Sequence, residues 1–234
     1  MARKSLTEMV ADDLLDRIVA GEFPPGSLVP GELELSSQHE VSRMTVREAM
    51  KTLEAQRILR VERGRGTFVN PFSSWGSLHA VLRAVSEGQD GAAVAIQLIE
   101  LRRMLETGAC ELAATRISDL DLGRLSGQLE RMRAAHAAND VLAFVDADLA
   151  YHDIILQASG NIFVAVLFEP LHRILEKRRM ETSRIPEIQA NAIGMHAAIL
   201  EALTKRQPGL ARVAMDNHMA QTLKDLKSYV LKIR

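Results

Sequence analysis

Asp148 and His152 stand four residues apart in the stretch Asp148-Leu-Ala-Tyr-His152. On a helix that spacing puts both side chains on one face, about one turn apart. A carboxylate and an imidazole so placed can share one metal ion. His196 and His218 each fall in a later helical stretch, and facing helices of a bundle can bring such residues to one point. Three imidazoles and a carboxylate form a donor set for Zn2+, or for another divalent transition metal such as Ni2+. Spacing alone leaves a second reading open, because Asp-x-x-x-His is a common pattern and a solitary helical histidine is usually a surface or core residue. His39, His79, His136 and His172, the other four of seven histidines, have no comparable partner pattern.

A second group of residues points to nucleic acid. Between Arg43 and Arg65 there are seven basic and three acidic residues. A local surplus of positive charge is what phosphate contact needs. Ser42, Arg43, Thr45 and Arg47 open a helical pattern. An arginine there can reach guanine O6 and N7 together, while the hydroxyls suit phosphate or a base edge. Arg63, Gly64 and Arg65 fall in a glycine turn between two short strand patterns, where a side chain or bare backbone can approach the minor groove. The other reading of these arginines is a solvated face of a small α+β module. It accounts for any one of them better than for the whole ordered unit.

The elements that must position these residues follow from periodicity. Val10, Leu14 and Ile18, with Leu15 and Val19, make an apolar stripe over residues 6–20. Gly21 ends that helix, and Pro24-Pro25-Gly26 form a turn. A short helix is predicted over 32–39 and another over 43–55, with Ser42 as its N-cap. The strands are Ile58–Val61 and Thr67–Val69. Helix, turn, recognition helix and two-stranded wing are the order of a winged helix-turn-helix. Asn70 to Gly76 reads as a linker, which divides the chain into a DNA-binding domain at 1–70, a linker at 71–76 and a helical domain at 77–234. Helices are predicted over 77–87, 91–116, 119–137, 140–159, 162–183, 186–204 and 208–232. Ser118-Asp119, Asn139-Asp140 and Gly160-Asn161 stand at boundaries as cap-type residues, and Pro170 should kink the 162–183 helix. The fold class is therefore mainly α: a winged helix-turn-helix followed by an all-α antiparallel bundle.

With 234 residues, 47% hydrophobic and 25% charged, the composition is that of an ordinary globular chain, and the net charge of −1 gives no hint of nucleic acid. The basic signal is local. The first 70 residues hold ten Lys/Arg and eleven Asp/Glu, but phosphates sense the near field. Cys110 is the only cysteine. It reads as a small core residue, and the absence of a disulfide framework fits a reducing cytoplasm. No apolar run has the length of a signal peptide or of a membrane span.

Ile18, Gly21, Pro25-Gly26, Pro30, Glu32, Val41 to Ala49, Leu53-Glu54 and Gly64 to Val69 together resemble the GntR family of bacterial transcription regulators. The resemblance covers the N-terminal third. It implies that Arg43, Thr45, Arg47 and Gly64 contact operator DNA. Two residues depart from the pattern. Glu40 stands where the family has the glycine of the helix-turn-helix turn, and Leu33 where some members carry a DNA-contacting arginine. The run from Asp148 to Asn161 is similar to the signature of the FCD ligand-binding domain found in the FadR-type branch of that family. Glu100-Leu-Arg102 with Glu106, and Glu111-Leu-Ala-Ala, match that domain's early helix. By this resemblance Asp148, His152, His196 and His218 are metal ligands. Arg102 and Asn161 are effector-binding residues, with Arg102 clamping a small carboxylate through its planar fork. Arg102 can equally form an intrahelical pair with Glu106, and the two roles are compatible. The stretch from Phe72 to Gly88 is similar to members that sense sugar acids such as galactonate.

The expectation is a homodimeric repressor that binds double-stranded operator DNA and is released by a small organic acid. A metal-dependent hydrolase is the alternative, since an Asp/His site in a pocket can activate water. It lacks a spare general base, because the metal ligands use the obvious candidates.

Overall fold

The computed structural model describes residues 4–87 and 91–232. Packing divides the chain into two compact units, the first ending at Gly91 and the second starting at Ala92.

The first unit holds α1 (Leu6–Val19), α2 (Glu32–Gln38), α3 (Arg43–Ala55), β1 (Leu59–Glu62), β2 (Gly66–Val69) and α4 (Leu78–Glu87). Ser5 and Glu8 cap α1 reciprocally. The stripe Val10, Leu14, Leu15 and Ile18 is buried against Val46, Ala49 and Leu53 of α3. The other face of α3 is thereby left outward. The strands pair antiparallel, Leu59 opposite Val69 and Glu62 opposite Gly66. The hairpin needs glycine at Gly66: φ is +117°, and a Cβ there would lie 2.5 Å from Leu28 Cδ1.

Residues 70–76 are not a free connection. Trp75 is buried and donates its indole N–H to Asn70 O at 3.1 Å. Asn70 N–H donates to Ile58 O at 2.8 Å, and Gly76 N–H to Gln56 O at 2.8 Å. Ala80 and Ala84 of α4 join the core of α1 and α3, and Arg83 pairs with Asp12 and Asp16 on α1. The Pro/Ser/Gly composition marks a break in periodicity, but an indole and two alanines fasten the segment and α4 to the winged unit.

The second unit is a helical bundle: α5 (Gly91–Arg116), α6 (Asp119–Ala138), α7 (Val141–Ala158), α8 (Ile162–Phe168), α9 (His172–Thr182), α10 (Pro186–Thr204) and α11 (Pro208–Asp225). Side chains of Ser118, Asp140 and Asn161 cap α6, α7 and α8. The predicted 162–183 helix breaks at Pro170 into α8, a 3-10 turn at Glu169–Leu171 and α9. The last helix does not run on to 232 as one α-helix. It ends at Asp225 and continues as a π-helical turn over Leu226–Leu231. Cys110, Leu125, Met132, Phe144, Tyr151, Ile199 and Met215 centre the core. Burial pushes the Cys110 thiol up to about 12, so it packs as a small apolar residue.

Candidate functional site

Four side chains from three helices of the bundle meet in its interior. Asp148 and His152 lie one turn apart on α7, His196 is on α10 and His218 on α11, and all are buried. His152 Nε2 is 3.3 Å from His196 Nε2 and 3.3 Å from His218 Nε2. Asp148 Oδ1 is 3.1 Å from His196 Nε2 and 3.9 Å from His152 Nε2. Ligand atoms about 2.0–2.1 Å from a common tetrahedral ion lie about 3.3–3.4 Å apart, so the histidine spacings are those of a coordination shell.

The partners of each ring fix which nitrogens face inward. His196 Nδ1 is 2.6 Å from Ala192 O, an acceptor, so it carries the proton. His152 Nδ1 lies 2.5 Å from Glu106 Oε2 and is protonated for the same reason. Burial holds both His152 and His218 below the usual imidazole pKa, His218 far below. With Nδ1 so engaged, His152 and His196 turn Nε2 toward the centre, where His218 Nε2 also lies. Burial alone would raise the Asp148 carboxyl, but Arg179 and the hydrogen-bonding His196 hold it well below the usual carboxylate range. Asp148 Oδ1 and the Nε2 atoms of His152, His196 and His218 thus converge as potential ligand atoms, with His196 Nε2 within hydrogen-bond distance of Asp148. Three imidazole nitrogens and a carboxylate oxygen in this arrangement suit a cation. The donor set therefore fits a divalent transition metal.

Two arginines border the cluster. Arg102 on α5 donates from Nε to Glu106 Oε1 at 2.6 Å, and both side chains are buried. Arg179 on α9 pairs through Nε with Asp148 Oδ2. Arg102 Nη2 and Arg179 Nη2 are buried without a hydrogen-bond partner. Glu106 stays ionised: burial opposes this, and Arg102 and His152 outweigh it. Burial lowers the Arg179 pKa; Asp148 opposes the shift and the like charge of Arg102 adds to it. Two guanidiniums and two carboxylates cancel, so a divalent cation would leave the site with two surplus positive charges and two unused N–H groups. That combination selects an anion with paired oxygens, as a carboxylate has.

The structure brings together Asp148, His152, His196 and His218, with Arg102 alongside. Asn161 stands at a helix N-terminus. Its side chain is exposed and accepts from Phe163 N–H at the start of α8. Arg179 and the Glu106–His152 contact have no individual mark in the sequence. Arg179 sits in the run HRILEKRRMET, whose charges read as a solvated face.

On the winged unit, Ser42 accepts from Thr45 N–H at 3.1 Å, and the two hydroxyls are 2.9 Å apart. Arg43 and Arg63 are exposed, with no ion pair to either among the described residues. Arg47 is held by Glu32 on α2, Nε to Oε1 at 2.8 Å and Nη2 to Oε2 at 2.7 Å. Arg65 pairs with Glu62 and also lies over the Phe68 ring, 5.4 Å from its centroid. Glu40 has φ +54°, the left-handed conformation that the family's glycine adopts without strain. Leu33 is 69% exposed at the start of α2, so no arginine acts there. No described helix is long and apolar enough to cross a membrane.

The pattern of bacterial regulatory proteins of the gntR family matches residues 6–69, and that of the FCD domain matches residues 97–221. The galactonate operon transcriptional repressor of Escherichia coli K12 is 28% identical over 227 residues, covering 94% of this chain and 96% of the relative. The HTH-type transcriptional regulator YieP of the same organism is 30% identical, covering 86% of this chain and 87% of its own. Among solved structures, a GntR protein of Streptococcus agalactiae superposes with a TM-score of 0.52 at 28% identity, covering 93% of this chain and 99% of the other. These relatives are transcription regulators, and the hydrolase alternative falls away. The chain belongs to the GntR family and is a ligand-responsive DNA-binding transcriptional regulator whose helical unit is an FCD domain.

Proposed function

We propose that the chain is a repressor whose FCD unit holds one divalent transition metal, Zn2+ or Ni2+, on Asp148, His152, His196 and His218, and that a small carboxylate binding there releases operator DNA. The observation that carries this is the convergence of one buried carboxylate oxygen and three buried imidazole nitrogens, with contacts of 3.1–3.3 Å. When bound, the ion supplies positive charge and open positions for a carboxylate or hydroxyl oxygen. Glu106 orients His152 and anchors Arg102. The free Nη2 groups of Arg102 and Arg179 take the acid's carboxylate. The likeness to a galactonate operon repressor favours a sugar acid as that effector.

DNA reading falls to Ser42, Arg43, Thr45 and Arg47 on α3, with Arg63, Gly64 and Arg65 at the wing. One such module reads a half-site, so the working form is a homodimer in the cytoplasm. Ile162, Phe163 and Val166 of α8 are 72%, 74% and 62% exposed, an apolar face that a second copy of the chain would cover. Light scattering should give twice the monomer mass at micromolar concentration; a monomer with and without DNA contradicts the dimer. The acid shifts the dimer to a state in which the two α3 helices no longer match major grooves about 34 Å apart.

The test is a gel-shift titration on a duplex selected from a random pool by the wild-type chain. Galactonate should release the wild type, and Arg102→Ala or Arg179→Ala should require at least about tenfold more acid, as for a lost charge-assisted hydrogen bond. Release of both variants at the wild-type concentration contradicts the clamp.

A further inference from the structure

Beside His218 the bundle holds a second set of polar groups, set among aliphatic neighbours. A cavity of about 50 Å³ has a polar wall, Thr182 of α9 with His218, Gln221, Thr222 and Asp225 of α11, and an apolar wall, Ile99, Ile188, Ala192 and Leu226. At about 10–15 Å³ per water-sized group, it has room for about three to five such groups, the end of a hydroxylated tail. Asp225 is 3% exposed, and no described cation pairs with it. Its carboxylate accepts from Asn191 Nδ2 at 3.1 and 3.2 Å and from Gln221 Nε2 at 2.8 Å. A buried carboxylate held by two amides keeps acceptor capacity, since each oxygen has two lone pairs.

The two threonines point the same way. Thr222 Oγ1 donates to His218 O at 2.9 Å, and Thr182 Oγ1 donates to Arg178 O at 3.1 Å. Their protons are committed to backbone carbonyls, so toward the cavity they offer lone pairs only. The polar wall therefore presents three acceptors, Asp225, Thr182 and Thr222. A polar group that meets these three must donate.

Three kinds of polar tail can be compared. A second carboxylate would face the Asp225 carboxylate with no proton between them. An ammonium could donate, but it would lie near Arg102, Arg179 and the surplus positive charge of a loaded metal site. Neutral hydroxyls donate to all three acceptors at no charge cost.

We propose that Asp225, oriented by Asn191 and Gln221, is the specificity-determining residue of a hydroxyl-binding subsite, which selects effectors with one carboxylate and a polyhydroxylated tail over dicarboxylates and short acids. This rests on the metal-and-arginine reading above: the carboxylate end binds at that centre, and the tail passes His218 into the cavity.

The test is calorimetric titration of the full-length, metal-loaded chain with galactonate, with galactarate, which replaces the terminal CH2OH by a second carboxylate, and with glycolate, which has no tail. The wild type should bind galactonate at least about tenfold more tightly than either of the others, as expected for hydrogen bonds to a buried charged group. Asp225→Asn keeps the shape but exchanges an acceptor for a donor. It should bring both ratios to within about threefold of unity, and the galactarate ratio should fall further than the glycolate ratio. Thr222→Val removes one acceptor at nearly constant volume and should lower the galactonate-to-glycolate ratio in the same direction, which keeps the test decisive if Asp225→Asn fails to fold. Equal wild-type affinity for galactonate and galactarate overturns the subsite, as do ratios unchanged in the variants, while glycolate binding in the same titrations would leave the metal-and-arginine centre standing. A wild type that binds none of the three acids overturns that centre and the subsite with it.

Discussion

Replacing Glu106 by glutamine removes the group on which the two halves of the candidate centre depend. Glu106 is 1% exposed. Its Oε1 accepts from Arg102 at 2.6 Å, and its Oε2 lies 2.5 Å from His152 Nδ1. A glutamine has one carbonyl oxygen for these two donors, so its NH2 must face either a guanidinium or an imidazole N–H. Removing one partner of a buried ion pair costs about 3–5 kcal/mol, because the remaining charge is left uncompensated. For a chain of this size that is a fall in melting temperature of roughly 6–20 °C, at about 2–4 °C per kcal/mol. Loss of a group that orients a metal-bound histidine weakens metal affinity by about 10- to 100-fold. The exposed pair Arg103–Asp216, with side chains 44% and 41% exposed, serves as the comparison. Surface pairs contribute about 0–1 kcal/mol, so Asp216→Asn should lower the melting temperature by no more than about 4 °C and leave metal affinity within twofold of wild type, as about the precision of the assay. The measurement is competition for Zn2+ against a chromophoric chelator, with calorimetric melting on the same samples. Metal affinity equal in Glu106→Gln and wild type would refute the role given to Glu106, whatever the change in stability.

Glu40 takes a left-handed conformation at φ +54°, at a cost for an L-residue of roughly 1–2 kcal/mol. Glu40→Gly relieves that strain but raises unfolded-chain entropy by roughly 0.5–1 kcal/mol, so thermal unfolding should show a net gain of up to about 1.5 kcal/mol; a loss contradicts the strain. Arg43→Ala and Arg47→Ala should each weaken binding to the selected duplex by about 1–3 kcal/mol, read by gel shift at fixed salt, and wild-type affinity in Arg43→Ala would misplace the recognition helix. Arg65→Ala, if it loses only a phosphate contact, should weaken specific and non-specific DNA alike and make the salt slope shallower by about 1; an effect confined to the selected duplex would instead make Arg65 a base reader.

Local rules made much of this fold legible. The stripe Val10–Leu14–Ile18 and the caps Ser42, Ser118 and Asp140 are set by neighbours within one or two turns, and those helices begin and end near where periodicity and capping place them. The Asp148–His152 pair was visible for the same reason, being one turn of one helix. Convergence of His196 and His218 on that pair is a product of how α7, α10 and α11 pack, and spacing could not separate it from solitary core histidines. Arg179 was hidden among six charged residues of an eleven-residue helix, because which of them turns inward depends on the break at Pro170. Asn161, inside a recognisable signature, also caps a helix N-terminus, a role that local sequence makes legible. The segment at 70–76 looked like a linker because turn residues dominate it, yet the single tryptophan it contains is enough to fix it to the wing.

The central claim is that Asp148, His152, His196 and His218 form a metal centre. Elemental analysis by mass spectrometry, on full-length chain purified without chelator or metal-affinity resin, tests it most directly. The account predicts close to one equivalent of a divalent transition metal per chain, lost on His196→Ala together with the stabilisation the ion provides, about 2.7 kcal/mol when free metal is 100 times its dissociation constant. A wild-type chain that carries no metal, and whose melting temperature does not rise with added Zn2+ or Ni2+, would contradict it.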